Sequence, residues 1–242
     1  RAELEALRAS AGGLRTSKSF DEALASAGAK GISPSFEVNL MVEARLGPAG
    51  EHRAFLRPET AQSIFCNFRK LLDLAGGKLP FGAAMVGPAF RNEVAPRNGL
   101  VRLREFEMAE VEFFVDPKST SHPRLSSLLD LSIPVVTRSD LQKDLSDTPT
   151  KTLGALLRQG ALKSEPLAYF IGKALLFAKS IGLKEDLLRF RQHQSDELSH
   201  YAADCWDLEV LTSLGWIECA GIADRGTFDL QAHARGSGAS LY

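Results

Sequence analysis

The chain has 242 residues, 44% hydrophobic and 24% charged, with 29 Lys and Arg against 30 Asp and Glu. Those proportions exclude a wholly disordered chain, a collagen-like fibre and a disulfide-dense scaffold. A formal charge of −1 and a pI near 6.6 give no global sign of nucleic-acid binding, although a basic patch can sit on a neutral protein.

In chain order, residues 2–9 have the make-up of a short helix, and 10–35, rich in Gly, Ala and Ser, read as loop. From Phe36 to Ala44 apolar and polar residues alternate, the period of a half-buried strand, and Gly47, Pro48 and Gly50 stop it. After Pro58, Glu59 and Thr60 open a helix whose Ala61, Ile64, Phe65, Phe68, Leu71 and Leu72 follow the i, i+3, i+4, i+7 rule until Gly76-Gly77. Residues 81–93 are strand-like with an interruption at Gly87-Pro88, 95–99 carry turn chemistry, and 100–115 form a long strand, which together predict an antiparallel hairpin. Residues 118–165, with Pro123, Pro134 and Pro149, read as an insertion of mixed structure. Residues 166–180 and 183–214 read as helical, 215–223 as a buried strand, and 226–242 show no clear element. The expected organisation is therefore an N-terminal segment (1–35), a core with the hairpin (36–117), the insertion (118–165), and a helical segment with a return strand (166–242).

The three cysteines, Cys66, Cys205 and Cys219, are far apart and form no C-x-x-C pair, so neither a disulfide framework nor a zinc knuckle is expected, and a reducing compartment is. No apolar run approaches the roughly 20 residues that span a bilayer. The first residue is Arg1, which suggests a processed product, a partial chain or an excised fragment; Glu3 and Glu5 are unlike a mitochondrial presequence.

On the strand 100–115 the even positions share one face: Arg102, Arg104, Phe106, Met108, Glu110 and Glu112. The hairpin can bring Arg91 and Arg102 to that surface. Guanidinium groups grip phosphates and stack on flat rings, and a nearby carboxylate can hold an ammonium group. The pattern alone is better served by a solvated sheet face with cross-strand ion pairs.

The strings FEVNLM (36–41), LRPETAQ (56–62), GKLPF (77–81), FRNE (90–93) and REFEMAEVEFFVDP (104–117), followed by LRFRQH (188–193), HYAADCWDLE (200–209) and GWIECAGIADRGTFDLQAHAR (215–235), resemble the archaeal/eukaryotic type of glycyl-tRNA synthetase, a class II family. The resemblance implies an α+β fold: an antiparallel class II sheet flanked by helices, here incomplete at both ends. It implies activation of glycine by ATP to glycyl-adenylate and transfer to tRNA(Gly), whose acceptor end would meet the loop from Pro96 to Gly99. FRNE looks like class II motif 2. Arg91 would then be the catalytic arginine on the α-phosphate. Asn92, Glu93, Arg102, Leu103, Glu218 and Cys219 would line ATP, and Glu218 would serve its Mg2+. Glu59 and Glu110 would receive the glycine ammonium group, sound chemistry for an amino acid without a side chain to read. Ser63 stands where the family usually has Gly.

Nothing in the chain matches class II motif 1 or motif 3, and no anticodon-binding domain follows. Open sheet edges would need a cover: a homodimer mate, a complementary synthetase fragment or a ribonucleoprotein subunit. The resemblance therefore allows a part of a working synthetase, cytoplasmic or mitochondrial. It also allows an inert synthetase-derived subunit with a structural or RNA-binding role, for instance in a mitochondrial ribosome, and a free-standing regulatory module. No membrane partner is expected. His193 and His200, with Asp196 and Glu197 between them, sit on the expected helix at a spacing that metal ligands can use, although a polar helix face explains them as well. Arg191 is expected to pack on the same helix.

Overall fold

A computed structural model describes residues 38–96, 99, 101–119, 121–141 and 148–241. The short helix expected over 2–9 and the loop over 10–35 lie outside the described residues. The chain divides into two compact units, one formed by 38–60 and 86–109, the other by 61–85 and 110–241.

In the first unit, β1 (Glu43–Leu46) pairs antiparallel with β2 (His52–Phe55), Glu43 opposite Phe55. The turn uses Gly47 at φ +93°, and Gly50 N–H donates to Gly47 O at 3.0 Å. The strand expected from Phe36 to Ala44 starts outside the described residues, and among those described it is formed only from Glu43. Upstream the backbone is spent elsewhere: Leu40 O accepts from Asn92 N–H at 2.7 Å, and Met41 N–H donates to Asn39 Oδ1 at 3.0 Å. β3 (Phe81–Phe90) and β4 (Glu105–Phe114) pair with each other, and β3 runs unbroken through Gly87-Pro88.

In the second unit, the helix expected after Pro58 is two: α1 (Ala61–Cys66) and α2 (Phe68–Leu74). Asn67 separates them, its Nδ2 donating to Ser63 O at 2.8 Å. Gly76 and Gly77 then take left-handed φ values of +71° and +68°, which only glycine adopts at no steric cost. Ala61, Ile64, Phe65, Phe68 and Phe114 form one apolar cluster, in which the Phe68 and Phe81 rings lie 4.9 Å from Phe114.

A second cluster is built on a five-stranded sheet of order β6-β5-β7-β8-β9: β5 (Ser132–Val136), β6 (Thr150–Thr152), β7 (Leu188–Gln192), β8 (Asp204–Thr212) and β9 (Gly215–Asp224). All pairings are antiparallel except β5 with β7. Between them lie α3 (Arg138–Leu141), α4 (Leu153–Arg158) and α5 (Glu165–Ser180). The Ser164 side chain caps α5 by accepting from Leu167 N–H at 3.4 Å. Leu167, Ala168, Ile171, Leu175 and Ala178 give α5 a buried stripe at helical spacing. Trp206, Phe190, Ile133, Leu153 and Leu156, all 0% exposed, complete the core.

The helix expected over 183–214 is instead the strand pair β7–β8. The residues alternate: Leu188, Phe190 and Gln192 face the core while Arg189 and Arg191 face away, and Trp206 and Leu208 alternate with Cys205, Asp207 and Glu209 across the antiparallel register. A period of two cannot lay an apolar stripe on a helix. Arg191 is thus a strand residue, and His193 and His200 do not share a helix face. The strand expected at 215–223 forms, but it is half-exposed rather than buried. Residues 226–242, in which the sequence shows no clear element, contain α6 (Phe228–Ser237), ended by Gly238 at φ +68°. Its weak apolar periodicity hid it; Leu230 packs on the phenylalanine cluster, and Arg225 bonds twice to Asp229, at 2.7 and 2.8 Å.

The Asp140 carboxylate fastens α3 to its surroundings. It accepts from Thr137 Oγ1 at 2.6 Å, Thr137 N–H at 3.1 Å and Lys151 Nζ at 2.6 Å. Burial disfavours its charge, but the Lys151 ammonium and the Thr137 donors outweigh that and hold it down to about 2. A carboxyl depressed in the fold contributes stability that is present above its unfolded pKa and lost as pH falls through about 2. Wild type should therefore lose stability between about pH 4 and 2 more steeply than Asp140→Asn. Denaturant midpoints at several pH values test this, and parallel profiles would refute it.

Candidate active site

In the first unit, the segment after Phe90 is held by backbone bonds that orient three of the residues singled out in the sequence. Phe90 N–H donates to Arg57 O at 2.8 Å and Arg91 N–H to Arg104 O at 2.9 Å. The Arg91 guanidinium lies 5.3 Å above the Phe106 ring, and its Nε donates to Pro58 O at 3.2 Å. Asn92 Nδ2 donates to Asn39 O at 3.1 Å. The Glu93 carboxylate faces Arg102 Nη1 at 3.5 Å, and Glu93 O accepts from Arg104 Nε at 3.2 Å. The structure thus gathers Arg91, Asn92, Glu93 and Arg102 into one exposed patch with an aromatic floor, beside a partly exposed Leu103. Gly87 leaves room for the Arg57 guanidinium: a Cβ there would lie 2.6 Å from Arg57 Nη2, while Arg57 Nε donates to Pro88 O. Glu59 is half-buried beside the fully buried Thr60.

The second unit holds Glu110, Glu218 and Cys219. Glu110 is half-buried on β4, on the same face as Glu112. On β9 the register skips one residue: Ala220 pairs with Leu208 and Glu218 with Glu209, so Cys219 is the extra residue of a β-bulge. Cys205, Asp207 and Glu209 share one face of β8, and Glu218 is the register partner of Glu209. Cys219 donates its thiol to Leu208 O at 3.2 Å. Glu218 offers hard oxygen donors of the kind magnesium takes; Glu209, opposite it, is occupied by Arg189 at 2.6 Å and Arg191 at 3.1 Å.

Two features escaped the sequence reading. Arg225, whose role the sequence left open, lies 3.9 Å above the Tyr201 ring and bonds Asp229, while Gln62 donates to Asp229 at 3.3 Å and meets His233 Nε2 at 2.9 Å. Burial works against the Arg225 charge, but Asp229 more than compensates and raises its pKa; the same pairing lowers that of Asp229 against burial. The i, i+4 spacing of Arg225 and Asp229 was a legible signal once a helix at 228 was admitted. The other missed feature is the grouping of His193 with Cys205 and Asp207, for which sequence spacing offered no signal. Among the described residues no helix is long and apolar enough to cross a membrane.

The profile of the tRNA synthetase class II core domain (G, H, P, S and T) matches residues 42–132. Glycine–tRNA ligase 2 of Saccharomyces cerevisiae is 48% identical over 204 residues, 84% of this chain and 33% of that protein. Glycine–tRNA ligase 1, mitochondrial, of the same yeast is 48% identical over 81% of this chain and 29% of its own length. Glycine–tRNA ligase of Archaeoglobus fulgidus is 47% identical over 84% of this chain and 35% of its own length. The chain therefore spans about a third of the length of the curated relatives it matches. Over more than four-fifths of its length the chain is thus similar to glycine–tRNA ligases, and residues 42–132 are similar to the class II core.

Proposed function

We propose that the chain supplies part of the site of a glycine–tRNA ligase that joins glycine to ATP, releasing pyrophosphate, and then passes the glycyl group to tRNA(Gly). The observation that carries this reading is the Arg91 guanidinium, anchored over Phe106 inside the stretch matched by the class II core. In the proposed reaction the glycine carboxylate attacks the α-phosphate, and little acid–base chemistry is needed; position and charge dominate. Arg91 stabilises the charge that develops on phosphorus. Asn92, Glu93, Arg102, Leu103 and Cys219 line the nucleotide. Glu59 and Glu110 take the glycine ammonium group, and Glu218 holds Mg2+, which when bound offsets the phosphate charge. The relatives' names support a ligase over an inert ribonucleoprotein subunit, and they fit translation in the cytoplasm or a mitochondrion.

The test is glycine-dependent ATP–pyrophosphate exchange by the natively purified full-length protein, with Glu110→Gln as the control. Exchange that falls by at least about 100-fold in the variant supports the proposal, since a lost charge-assisted contact to a buried ammonium costs several kcal/mol. No exchange from the folded wild-type protein overturns it.

A further inference from the structure

Between β2 and α1 the chain passes through Leu56, Arg57, Pro58 and Glu59, and hydrogen bonds sew this stretch to the end of β3. Phe90 N–H donates to Arg57 O at 2.8 Å, Arg91 Nε to Pro58 O at 3.2 Å, and Arg57 Nε to Pro88 O at 2.8 Å. On its other side, Leu56 N–H donates to Val42 O at 2.9 Å. Pro58 has no N–H of its own to offer. Among these bonds only the one to Pro88 comes from a side chain of the stretch itself, that of Arg57.

The bonds join the two groups on which adenylation would turn. Glu59, the residue read as receiving the glycine ammonium group, follows Pro58 directly. Arg91, the residue read as gripping the α-phosphate, follows Phe90 directly and is itself bonded to Pro58. Arg57 adds a second fastening at Pro88, three residues before Arg91. Its donor is charged, which makes this bond roughly twice as strong as a neutral one. Space is kept for the fastening at Gly87. That residue lies inside β3 with a φ outside the left-handed region, so the backbone does not ask for glycine. A Cβ there would instead lie 2.6 Å from Arg57 Nη2 and 3.8 Å from its Cζ. Glycine within a strand often marks such a close approach. The clash would be with the free end of a flexible side chain, so a methyl group would push the guanidinium aside and leave the strand in place.

We propose that Arg57, seated on Gly87, is a positioning residue for adenylation: it fixes the distance between the Glu59 carboxylate and the Arg91 guanidinium. The inference rests on the glycine-ligase reading. Arg57 acts through Glu59 and Arg91 and touches neither substrate. The glycine carboxylate must arrive in line at phosphorus, and a misplacement of about 1 Å is enough to cost about 100-fold in rate. Each substrate still meets its own group when Arg57 is lost, so occupancy changes little while the rate constant falls.

The experiment is single-turnover formation of glycyl-adenylate by the full-length protein at saturating ATP and glycine. The amplitude counts folded sites, and the rate constant reports the step itself. Arg57→Ala should lower the rate constant about 100-fold and Gly87→Ala about tenfold, with half-saturating glycine and ATP within about threefold of wild type. With Arg57 gone, a methyl group at position 87 has nothing to displace. The double variant should therefore be no slower than Arg57→Ala alone. A lower amplitude with an unchanged rate constant would make Arg57 a purely structural residue and overturn the proposal. A double variant about tenfold slower than Arg57→Ala overturns it as well, since Gly87 would then act independently. If Arg57→Ala does not fold, Gly87→Ala decides by the same rate constant. No adenylate from the folded wild-type protein overturns the ligase reading itself, whereas wild-type adenylate at a rate that both variants keep overturns only the positioning role.

Discussion

Replacing Arg91 with alanine should lower glycine-dependent ATP–pyrophosphate exchange of the full-length protein by about 1,000-fold, the upper end of what one preorganised charge contributes to a developing negative charge. The geometry sets this expectation. The guanidinium is aimed from three sides: by its backbone bond to Arg104, by Nε to Pro58 O, and by the Phe106 ring beneath it. Such a group needs no reorganisation when charge develops on a phosphate. Arg91→Lys should recover little, because an ammonium group lacks the planar fork and stacks poorly. Arg53, in an exposed pair with Glu43 and over Phe55, is the control; its alanine variant should exchange within about twofold of wild type, as exposed pairs contribute little. Equal losses at both positions would undo the assignment of Arg91, and unchanged exchange in Arg91→Ala would do the same.

Trp206→Ala should destabilise the protein by about 3–5 kcal/mol, the range for removing a large buried aromatic. Trp206 is 0% exposed, and its Nε1–H donates to Asp204 Oδ2 at 3.0 Å. Asp204 is itself buried and also accepts from Arg138 Nη2, from Gln192 Nε2, each at 3.1 Å, and from the Cys205 N–H at 3.2 Å. The substitution thus opens a cavity and takes one donor from a buried carboxylate, whose remaining partners cannot move far without breaking β7–β8 pairing. Trp206→Phe keeps most of the volume and loses the donor, so it should cost about half as much. Urea midpoints report both, with an unchanged slope. A loss below about 1 kcal/mol for Trp206→Ala would mean that this core relaxes around the cavity.

Much of the site was legible because its chemistry is local in sequence. FRNE and the strand after it place Arg91 and Glu93 within three residues of each other, and alternation along β4 put Phe106, Glu110 and Glu112 on one face, as the structure has them. The same period-two alternation runs through LRFRQ, inside the segment expected as a helix over 183–214. There a strand was the correct reading, because Phe190 and Leu188 bury completely only if Arg189 and Arg191 point the opposite way.

What the residues determined alone was the kinship, through ordered strings of side chains, and every element whose periodicity stands out: α5 by its buried stripe, β3 and β4 by length and turn chemistry. What only the tertiary structure decided concerns groups far apart in sequence. The bulge at Cys219 sets which β9 residue pairs with Glu209. The chain of bonds from Arg225 through Asp229 and Gln62 to His233 spans 171 positions at its widest step. The meeting of His193 with Cys205 and Asp207 depends on a register that pairs Arg191 with Asp207. A one-residue slip would send these side chains to the opposite face, so register is set by what the sheet buries, namely Trp206, Phe190 and Leu208 against α5. Hydrophobic burial chose that register, and the placement of the polar groups on the other face followed from it.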